Sequence, residues 1–412
     1  MTDAVRNYLV VTASYWGFTL VDGALRMLVL FHFFKLGYSP FTLAFLFLLY
    51  EFAGILSNLV GGWLAVRFGI PRMLAIGQLL QIAGLVMLSA LDAGWAPALS
   101  VVYVVAAQGI AGIAKDLTKT ASKSAIKAVS KDGAKELFNL VAWFTGSKNA
   151  MKGIGFFLGG LLLETAGFRL ALLLMAALLA VILIAGLALL PRELGKAKGS
   201  KTVRELFAKS RGVNLLAAAR VFLFGARDVW FVVGLPVFLY AYGWNFLSVG
   251  AFLAAWTIAY GLIQAVAPRF VSRSADGLTR EVPSARLWSA ILTAVPLLLA
   301  LALVAPAVPH PDWIIVAGLT LFGFAFAVNS SLHSYLILAY AGSEKAAEDV
   351  GFYYAANAAG RLLGILLSGV LYQAGGMTGC LIGSAAMLGL CWAITLGLPS
   401  RSETPRLEPS AA

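Results

Sequence analysis

The chain has 412 residues, of which 60% are hydrophobic and only 12% are charged, and its mean hydropathy is +0.87. Because soluble domains carry about 25% charged residues, this composition excludes an ordinary soluble protein and indicates an all-α integral membrane protein. The net charge of +12 would suit a nucleic-acid-binding protein. The distribution of the basic residues explains that charge by membrane topology, so no nucleic-acid partner is expected.

Long apolar runs predict that the chain crosses the lipid bilayer many times. They recur about every 30 residues, and each approaches or exceeds the roughly 20 residues that cross a bilayer as a helix. None shows the polar alternation of a membrane β-barrel. We predict twelve transmembrane helices, near residues 8–34, 40–65, 73–91, 96–114, 137–165, 170–190, 213–241, 247–267, 287–307, 313–340, 350–373 and 377–398.

The basic residues predict the orientation of these helices. If the N-terminus is inside, the inside segments hold 23 of the 31 Lys and Arg, the outside loops hold Lys35 and Arg169, and six lie within spans. This asymmetry predicts that both termini are cytoplasmic and that the protein is multi-pass in the inner (plasma) membrane. The first span follows Arg6 without a small-residue cleavage site, so we interpret it as retained rather than as a signal peptide.

A charged segment at the midpoint divides the chain into two related halves. SKNAMKGIGFFLGGLLLETAG (147–167) aligns with AANAAGRLLGILLSGVLYQAG (355–375), and Gly37 after the first span aligns with Gly243 after the seventh. Such parallel repeats are typical of transporters with two bundles around a central cavity. We predict two pseudo-symmetric six-helix bundles, with an N-terminal bundle at 1–190, a cytoplasmic basic linker at 191–211, a C-terminal bundle at 212–398 and a cytoplasmic tail at 399–412.

Ionisable residues within the spans are the main functional signal, because charge in a bilayer is costly and usually faces a cavity or a partner. Three acids lie away from the span ends, against six cations. Three acids cannot neutralise six cations, so some cations need an external anion or a position near the membrane interface. The acids are Asp22, Glu51 and Asp228, and the cations are Arg26, Lys148, Lys152, Arg220, Arg227 and Arg361.

The spacing of these residues leaves several pairings open. Asp22 and Arg26 are four apart, so an ion pair within the helix is feasible. Arg227 and Asp228 are adjacent and point to different faces, so each is expected to need a partner elsewhere. Arg220 lies near the start of its span and is expected at the interface. Asp22, Glu51 and Asp228 are also the candidates for proton coupling.

The internal repeat predicts an anion-binding site between the halves. Arg26 corresponds roughly to Arg227, Lys152 falls within one residue of Arg361 in the alignment, and Lys148 lies one helical turn from Lys152. Guanidinium groups bind phosphate-like oxyanions in a bidentate manner, and lysine adds a compact charge. In the alternative interpretation, Arg26 pairs with Asp22, Lys148 lies at the cytoplasmic interface and Arg361 pairs with a neighbouring helix.

Other polar residues also predict functional positions. A lysine every four residues from Lys115 to Lys135 forms a basic stripe, which either attracts cytoplasmic anions or binds lipid headgroups. Lys115 and Lys119, nearest the span, are predicted at the cytoplasmic entrance of the site. Asn329 in the tenth span and Tyr353 in the eleventh either bind substrate or link helices.

Catalytic and metal-binding motifs are missing from the sequence. There is no Walker loop, HExxH or GxSxG. The two cysteines, Cys380 and Cys391, are about 16 Å apart along a helix and cannot share a ligand. We therefore expect neither an enzyme nor a bound metal or cofactor.

The segment GWLAVRFGIPR (62–72) resembles the loop motif G-x-L-A-D-R-x-G-R-R of the major facilitator superfamily. Gly62, Leu64, Ala65, Arg67, Gly69 and Arg72 fit the motif. Val66 replaces its aspartate and Pro71 intrudes, so the usual charge relay of that loop is in doubt.

Longer stretches resemble one family within that superfamily. RNYLVVTASYWGFTLVDGALRMLVLFHF (6–33), GIAKDLTKTASKSAIK (112–127), FTGSKNAMKGIGFFLGGLLL (144–163) and LFGARDVWFVVGLPVFLY (223–240) are similar to ArsJ-type organoarsenical efflux permeases. The resemblance runs over residues 6–398. It implies export of 1-arseno-3-phosphoglycerate, which glyceraldehyde-3-phosphate dehydrogenase makes when arsenate replaces phosphate, and hence arsenate resistance.

Two other functions remain open at this stage. An organophosphate or other organic-anion antiporter would use a similar set of cations and would exchange its substrate for inorganic phosphate. A membrane receptor or scaffold without transport would tolerate loss of the buried cations.

Overall fold

The computed structural model describes residues 3–92, 94–129, 133–191, 210–271, 274, 276–305, 308–340 and 346–400. Within these residues the regular elements are helices, and a short 3₁₀ turn follows α10 at Ala267–Phe270. The helices are α1 (Asp3–Lys35), α2 (Pro40–Phe45), α3 (Leu48–Phe68), α4 (Ile70–Ser89), α5 (Pro97–Val129), α6 (Gly133–Thr165), α7 (Gly167–Leu189), α8 (Arg211–Phe231), α9 (Gly234–Ala241), α10 (Phe246–Val266), α11 (Glu281–Val304), α12 (Pro311–Tyr340) and α13 (Ala346–Leu396).

The helices confirm the predicted all-α membrane fold. Ten stretches of the described residues are long and apolar enough to cross a bilayer. One of them, Asp349–Leu396, contains two predicted spans that meet at a kink at Gly375 and Gly376. Together with α6, which contains the predicted fifth span, these stretches account for all twelve predicted segments.

The boundaries of the two halves remain a prediction, since most of the linker at 191–211 lies outside the described residues. Arg211 already belongs to α8, and the Ser210 hydroxyl caps that helix by accepting a hydrogen bond from Val213 N at 3.3 Å. The tail after residue 400 also lies outside the described residues.

The turns after the first and seventh spans repeat the same local geometry. Gly37 and Gly243, aligned in the sequence, both adopt left-handed backbone conformations, with φ of 84° and 88°. Two residues later Ser39 and Asn245 cap α2 and α10 through their side-chain oxygens. A left-handed φ is costly for residues with a Cβ, which explains glycine at both sites. The sequence repeat is thus a repeat of structure.

The second aligned glycine pair is shifted by one residue. Gly167 has φ of 73° at the start of α7, but in the other half the left-handed residue is Gly376, with φ of 58°, rather than Gly375.

The two halves meet along three helix pairs. In the first half α1 packs against α5, α6 and α7, and in the second α8 packs mainly against α13. Between the halves, α6 packs against α10, while α2 and α3 pack against α13. These contacts surround the central space in which the charged residues lie.

Glycines let α6 and α10 approach closely. A Cβ on Gly153 would lie 2.8 Å from Ala254 O, and one on Gly160 would lie 2.7 Å from Phe246 O. On the opposite helix, a Cβ on Gly250 would lie 3.0 Å from Phe156 O. Small residues at such contacts favour association of membrane helices through van der Waals packing.

The outer faces of α7 and α11 present large apolar side chains. Val181, Ile184, Leu298 and Val304 are all more than 60% exposed. Exposed apolar surface of this kind is expected where a helix faces lipid rather than water.

Four aromatic residues pack together at the end of the bundle at which α1 terminates. Phe31 stacks on Phe246 and Phe246 stacks on Tyr240, each with ring centroids 4.7 Å apart. Phe34 meets Tyr240 edge to face at 5.1 Å. We call these four residues the aromatic plug. It joins α1 of the first half to α9 and α10 of the second.

The structure explains two positions of the loop motif between α3 and α4. Gly69 has φ of 77° and precedes α4, while Pro71 lies in the first turn of that helix, where a missing N–H costs little. Arg72 is exposed. The side chains of residues 58–67 lie outside the described part of the chain, so the motif's other positions are not tested.

Gly155 and Gly146 on α6 provide a test of this close packing. A Cβ at Gly155 would collide with Leu20 O and Ala24 N of α1, whereas one at Gly146 would meet nothing within 4 Å. We expect Gly155→Ala to lower the free energy of unfolding by about 1–3 kcal/mol, because the α1 and α6 backbones must separate.

The matched change Gly146→Ala should leave stability unchanged or raise it by up to about 1 kcal/mol, since alanine favours helix. Thermal unfolding of both variants in one detergent checks the difference. Equal melting temperatures for the two variants would contradict the proposed close contact between α1 and α6.

Candidate anion-binding site

A cavity of about 270 Å³ lies where α1, α3, α5 and α6 of the first half meet α8, α10, α12 and α13 of the second. Its described wall carries eight cationic and four acidic side chains, a formal excess of four positive charges. The cations are Arg26, Lys115, Lys119, Lys148, Lys152, Arg220, Arg227 and Arg361, and the acids are Asp22, Glu51, Asp116 and Asp228.

Glu51 is at the centre of the charged wall. Its side chain is 1% exposed and accepts hydrogen bonds from Arg26 at 2.5 Å and Arg361 at 2.7 Å. Lys115 Nζ lies 3.7 Å from its other oxygen. Because Arg361 belongs to α13 and Glu51 to α3, this bridge joins the two halves of the molecule.

Asp228 extends the bridge within the second half. It pairs with Arg361 at 3.1 Å and with its neighbour Arg227 at 2.5 Å. The prediction that Arg227 and Asp228 need separate partners is therefore wrong for Arg227. The long arginine side chain folds back along α8, so adjacent residues can pair although their Cβ atoms diverge. Arg26, Glu51, Arg361, Asp228 and Arg227 form one chain of ion pairs, which we call the charge ladder.

The feasible pair of Asp22 with Arg26 is not the one observed. Asp22 accepts a hydrogen bond from the Tyr50 hydroxyl at 2.5 Å, and Arg26 instead pairs with Glu51. The Arg26 guanidinium also lies over the rings of Phe47 and Tyr50, 5.4 and 5.1 Å from their centroids. Partners on α3, which sequence spacing does not reveal, thus hold the arginine.

The end of α5 contributes charges to the same wall. Lys115 and Lys119 line the cavity, and Asp116 pairs with Lys119 at 2.8 Å. Asp116 was missed because the sequence suggested a membrane span ending near residue 114, whereas α5 continues to Val129. The side chains of the remaining lysines of the stripe lie outside the described residues.

Lys148 and Lys152, one turn apart on α6, both line the cavity. Lys152 has no carboxylate of the described residues within 4.0 Å. Its nearest aromatic ring is Phe156, at 5.6 Å. The cavity accounts for two lysines in an otherwise apolar stretch, because both reach a polar space rather than lipid.

Arg220 is buried at 3% exposure and lines the cavity, so the expectation that it lies at the membrane interface is wrong. It donates to Ser330 O at 3.1 Å, and its guanidinium lies 4.0 Å from the Phe224 ring centroid. The packing of α8 against α12 and α13 places it inward. Position along a span does not reveal this rotation.

Asn329 and Tyr353 do not line the cavity. Asn329 is fully buried and donates to Ser289 Oγ at 3.1 Å, which fits the alternative of a helix-linking role. Tyr353 is fully buried beside Arg220 and Tyr354. Their neighbours Tyr354 and Asn357 do line the cavity.

Sequence reasoning missed the polar side chains of α10. Tyr260 and Gln264 line the cavity and are joined by a hydrogen bond of 2.7 Å, and Asn149 of α6 donates to Gln264 at 3.3 Å. The sequence of α10 contains no Asp, Glu, Lys, Arg or His, so the pattern of intramembrane charges does not point to this helix.

Removal of the central carboxylate tests the charge ladder. We expect Glu51→Gln to lower the free energy of unfolding by about 3 kcal/mol or more, because Arg26 and Arg361 would be left buried without their shared carboxylate. The control is Glu164→Gln, at an exposed acid at the end of α6. Unfolding in detergent measures both, and equal stabilities would refute a bridging role for Glu51.

Comparison with known proteins agrees with this architecture. A sequence profile of the Major Facilitator Superfamily matches residues 8–283, more than half of the chain. No curated protein sequence matches significantly.

Solved structures share the fold at low sequence identity. A POT family transporter in complex with 5-aminolevulinic acid superimposes with a TM-score of 0.73 and 13% identity, covering 95% of each chain. A POT peptide transporter in complex with sulfate has a TM-score of 0.69 and 16% identity, covering 95% of this chain and 93% of that one. The human organic anion transporter MFSD10 (TETRAN) has a TM-score of 0.66 and 16% identity, covering 96% and 100%.

The helical architecture, the central cavity and the profile match agree with one another. The chain belongs to the Major Facilitator Superfamily and is a multi-pass membrane transporter rather than an enzyme.

Proposed function

We propose that this transporter exports a small, multiply charged organic anion from the cytoplasm by alternating access. One observation carries the proposal: the described cavity wall holds eight cations and four acids. Each uncompensated charge within a bilayer costs about 2.5–3.5 kcal/mol on insertion scales. An anionic substrate lowers this cost when it binds, so the excess of positive charge favours binding of an anion.

The cavity favours a small substrate. Its volume of about 270 Å³ lies below the roughly 300–1,000 Å³ typical of sites for drug-sized ligands. A three-carbon compound with an anionic group at each end suits this volume and the distribution of cations over both halves.

The resemblance of the sequence to ArsJ-type permeases supports one such compound, 1-arseno-3-phosphoglycerate. It carries an arsenate group at one end and a phosphate at the other. Glyceraldehyde-3-phosphate dehydrogenase would be the functional partner, because it forms this ester when arsenate replaces phosphate. Outside the cell the unstable ester releases arsenate, so the pair of proteins would confer arsenate resistance.

The residues that we propose for substrate contact are Lys152, Arg361, Arg227, Arg26 and Lys148. All five line the cavity. Lys115 and Lys119 would attract the anion at the cytoplasmic entrance, and Asp22, Glu51 and Asp228 are the carboxylates available for ion pairing or proton exchange. Asn329 and Tyr353 are left out of the proposal because neither lines the cavity.

The driving force follows from the predicted orientation. The excess of basic residues at the N-terminal face supports cytoplasmic termini in the plasma membrane. With an inside-negative potential, outward movement of one negative charge is favourable by about 2.3 kcal/mol per 100 mV. Export therefore requires no nucleotide hydrolysis.

The aromatic plug supports the alternating-access part of the proposal. The cavity-lining residues of α1 run from Tyr15 to Arg26, whereas the plug begins at Phe31, nearer the end of the helix. The cavity thus lies on the side of the plug that faces the N-terminus. Release to the outside would require the plug to separate as the two halves tilt.

An organophosphate or organic-anion antiporter is the second candidate function. The same excess of cations favours it, because inorganic phosphate and sugar phosphates are also compact oxyanions. It differs in requiring a counter-substrate on the opposite side of the membrane.

Everted membrane vesicles containing the protein test the proposed function. The vesicles receive glyceraldehyde 3-phosphate, NAD, the dehydrogenase and arsenate, and arsenic accumulation is followed. We expect accumulation only with the complete mixture and at least a tenfold loss in Lys152→Met, because the variant lacks a cation that has no carboxylate partner. The control Arg269→Gln removes an exposed cation and should transport normally.

Two results would contradict parts of this proposal. Arsenic accumulation that persists in Lys152→Met would show that this lysine does not bind the substrate, while the proposed substrate itself would still be supported. Sealed vesicles that accumulate no arsenic but exchange phosphate would favour the antiporter.

A crosslink across the aromatic plug tests alternating access. The rings of Phe34 and Tyr240 are 5.1 Å apart, so Phe34→Cys with Tyr240→Cys should be joined by a short, reducible thiol crosslinker. We expect transport to fall at least tenfold and to recover on reduction, because the plug can no longer separate. The native Cys380 and Cys391 are buried, and each single-cysteine variant is a control. Normal transport by the crosslinked protein would rule out this gate.

A further inference from the structure

The carboxylates of the cavity wall already have partners. Glu51 and Asp228 hold Arg26, Arg227 and Arg361 in the charge ladder. Asp116 pairs with Lys119, and Asp22 accepts from the Tyr50 hydroxyl. The three arginines that the sequence indicates as anion ligands therefore share two carboxylates before any substrate binds, so only one of their three charges is not offset.

Two other cations of the described wall are not paired with a carboxylate in this way. Neither Lys152 nor Arg220 has a carboxylate of the described residues within 4.0 Å. Lys152 shares the cavity wall with Arg26 and Arg361, whose partner is Glu51. A cation within the membrane that lacks a counter-ion and borders a cavity is a natural position for a ligand's negative charge.

Arg220 has the features of a built site. It is 3% exposed, and its guanidinium lies over two aromatic rings, 4.0 Å from the centroid of Phe224 and 4.8 Å from that of Tyr353. One terminal nitrogen donates to Ser330 O at 3.1 Å and contacts Ser330 Oγ at 3.4 Å, while Nε is buried without a hydrogen-bond partner. The rings restrain the guanidinium, which lines the cavity without a carboxylate partner among the described residues.

A chain of hydrogen bonds supports Arg220 from the neighbouring helices. The Tyr260 hydroxyl lies 3.2 Å from Ser330 Oγ and accepts from Gln264 at 2.7 Å. Asn149 of α6 donates to Gln264 at 3.3 Å, so the chain reaches the first half of the molecule. Such a network holds the residues around a charged group in place without supplying a counter-charge.

Lys152 and Arg220 occupy separate surroundings in the same cavity. Lys152 belongs to α6, and its ammonium group lies 5.6 Å from the centroid of Phe156. Arg220 belongs to α8 and contacts Ser330, Phe224 and Tyr353. A single compact anion at one of the two cations would leave the charge of the other uncompensated.

We infer that Lys152 and Arg220 bind the two ends of one substrate, so that this transporter selects short organic anions with a negatively charged group at each end. The inference rests on the proposed function and assigns one cation of the site to each end of its substrate. Arg220 is the specificity-determining residue that the repeat alignment does not reveal. Because each end binds a different half of the protein, the substrate itself links the two bundles.

Binding to the purified full-length protein tests the inference without transport. Two stable probes of equal carbon length are used in isothermal titration calorimetry. The first, 3-phosphoglycerate, has anionic groups at both ends, and the second, glycerol 3-phosphate, has one at a single end. We expect the wild-type protein to bind 3-phosphoglycerate at least tenfold more tightly.

Arg220→Gln and Lys152→Met should each reduce this ratio of dissociation constants to about one. Arg269→Gln, at an exposed position, should keep the wild-type ratio. Arg220→Lys, which keeps the charge without the planar fork, should restore part of the preference. Thermal unfolding confirms that each variant is folded, and Lys152→Met tests the second end independently if Arg220→Gln does not fold.

Each contrary outcome has a distinct meaning. Equal affinity of the wild-type protein for both probes, or an unchanged ratio in folded Arg220→Gln or Lys152→Met, would overturn the two-ended site while leaving anion transport intact. Failure of the wild-type protein to bind either probe would overturn the inference together with the anion site on which the proposed function rests.

Discussion

The arrangement of the cavity depends on one buried carboxylate. Glu51 of α3 lies between Arg26 of its own half and Arg361 of the other, and Asp228 continues the ladder to Arg227. Without Glu51, two buried guanidinium groups would face each other across the junction of the halves. The stabilisation by Glu51 depends on this geometry, since buried ion pairs stabilise a protein only when both charges are fully hydrogen-bonded. The ladder therefore fixes how α3 and α13 meet and, with them, the two sides of the cavity.

The glycines at the helix contacts also affect where the charged side chains lie. The glycines of α6 and α10 let these two helices approach closely, and Gly155 does the same between α6 and α1. Close approach directs Lys148 and Lys152 into the cavity rather than into lipid. On the outside of the bundle, α7 and α11 present apolar side chains, and their charged residues, Arg169, Glu281 and Arg286, lie in the first two turns of these helices. The chain thus concentrates its intramembrane charge in one polar space, where water or an anion can compensate it.

The proposed transport cycle uses the same elements. A bridge between the halves at Glu51 and Arg361 lies on one side of the aromatic plug, and the plug itself joins the halves at the other end. In a two-bundle transporter these are the two places where contacts between halves must form and break in turn. A substrate held by one cation from each half would add a third link between them, present only when the site is occupied.

The sequence by itself determined the membrane fold, the twelve spans and the internal repeat, because hydropathy and glycine-dependent turns act locally along the chain. Composition and span charge also predicted most of the cationic wall: all five basic residues proposed for substrate contact line the cavity. Only the tertiary structure decided which charges pair, since Arg26 meets Glu51 rather than Asp22, and Arg227 meets its own neighbour. It also turned Arg220 inward and kept Asn329 and Tyr353 off the wall. Helix rotation and the packing of distant helices set those partners, and neither is encoded in the spacing of residues along one span.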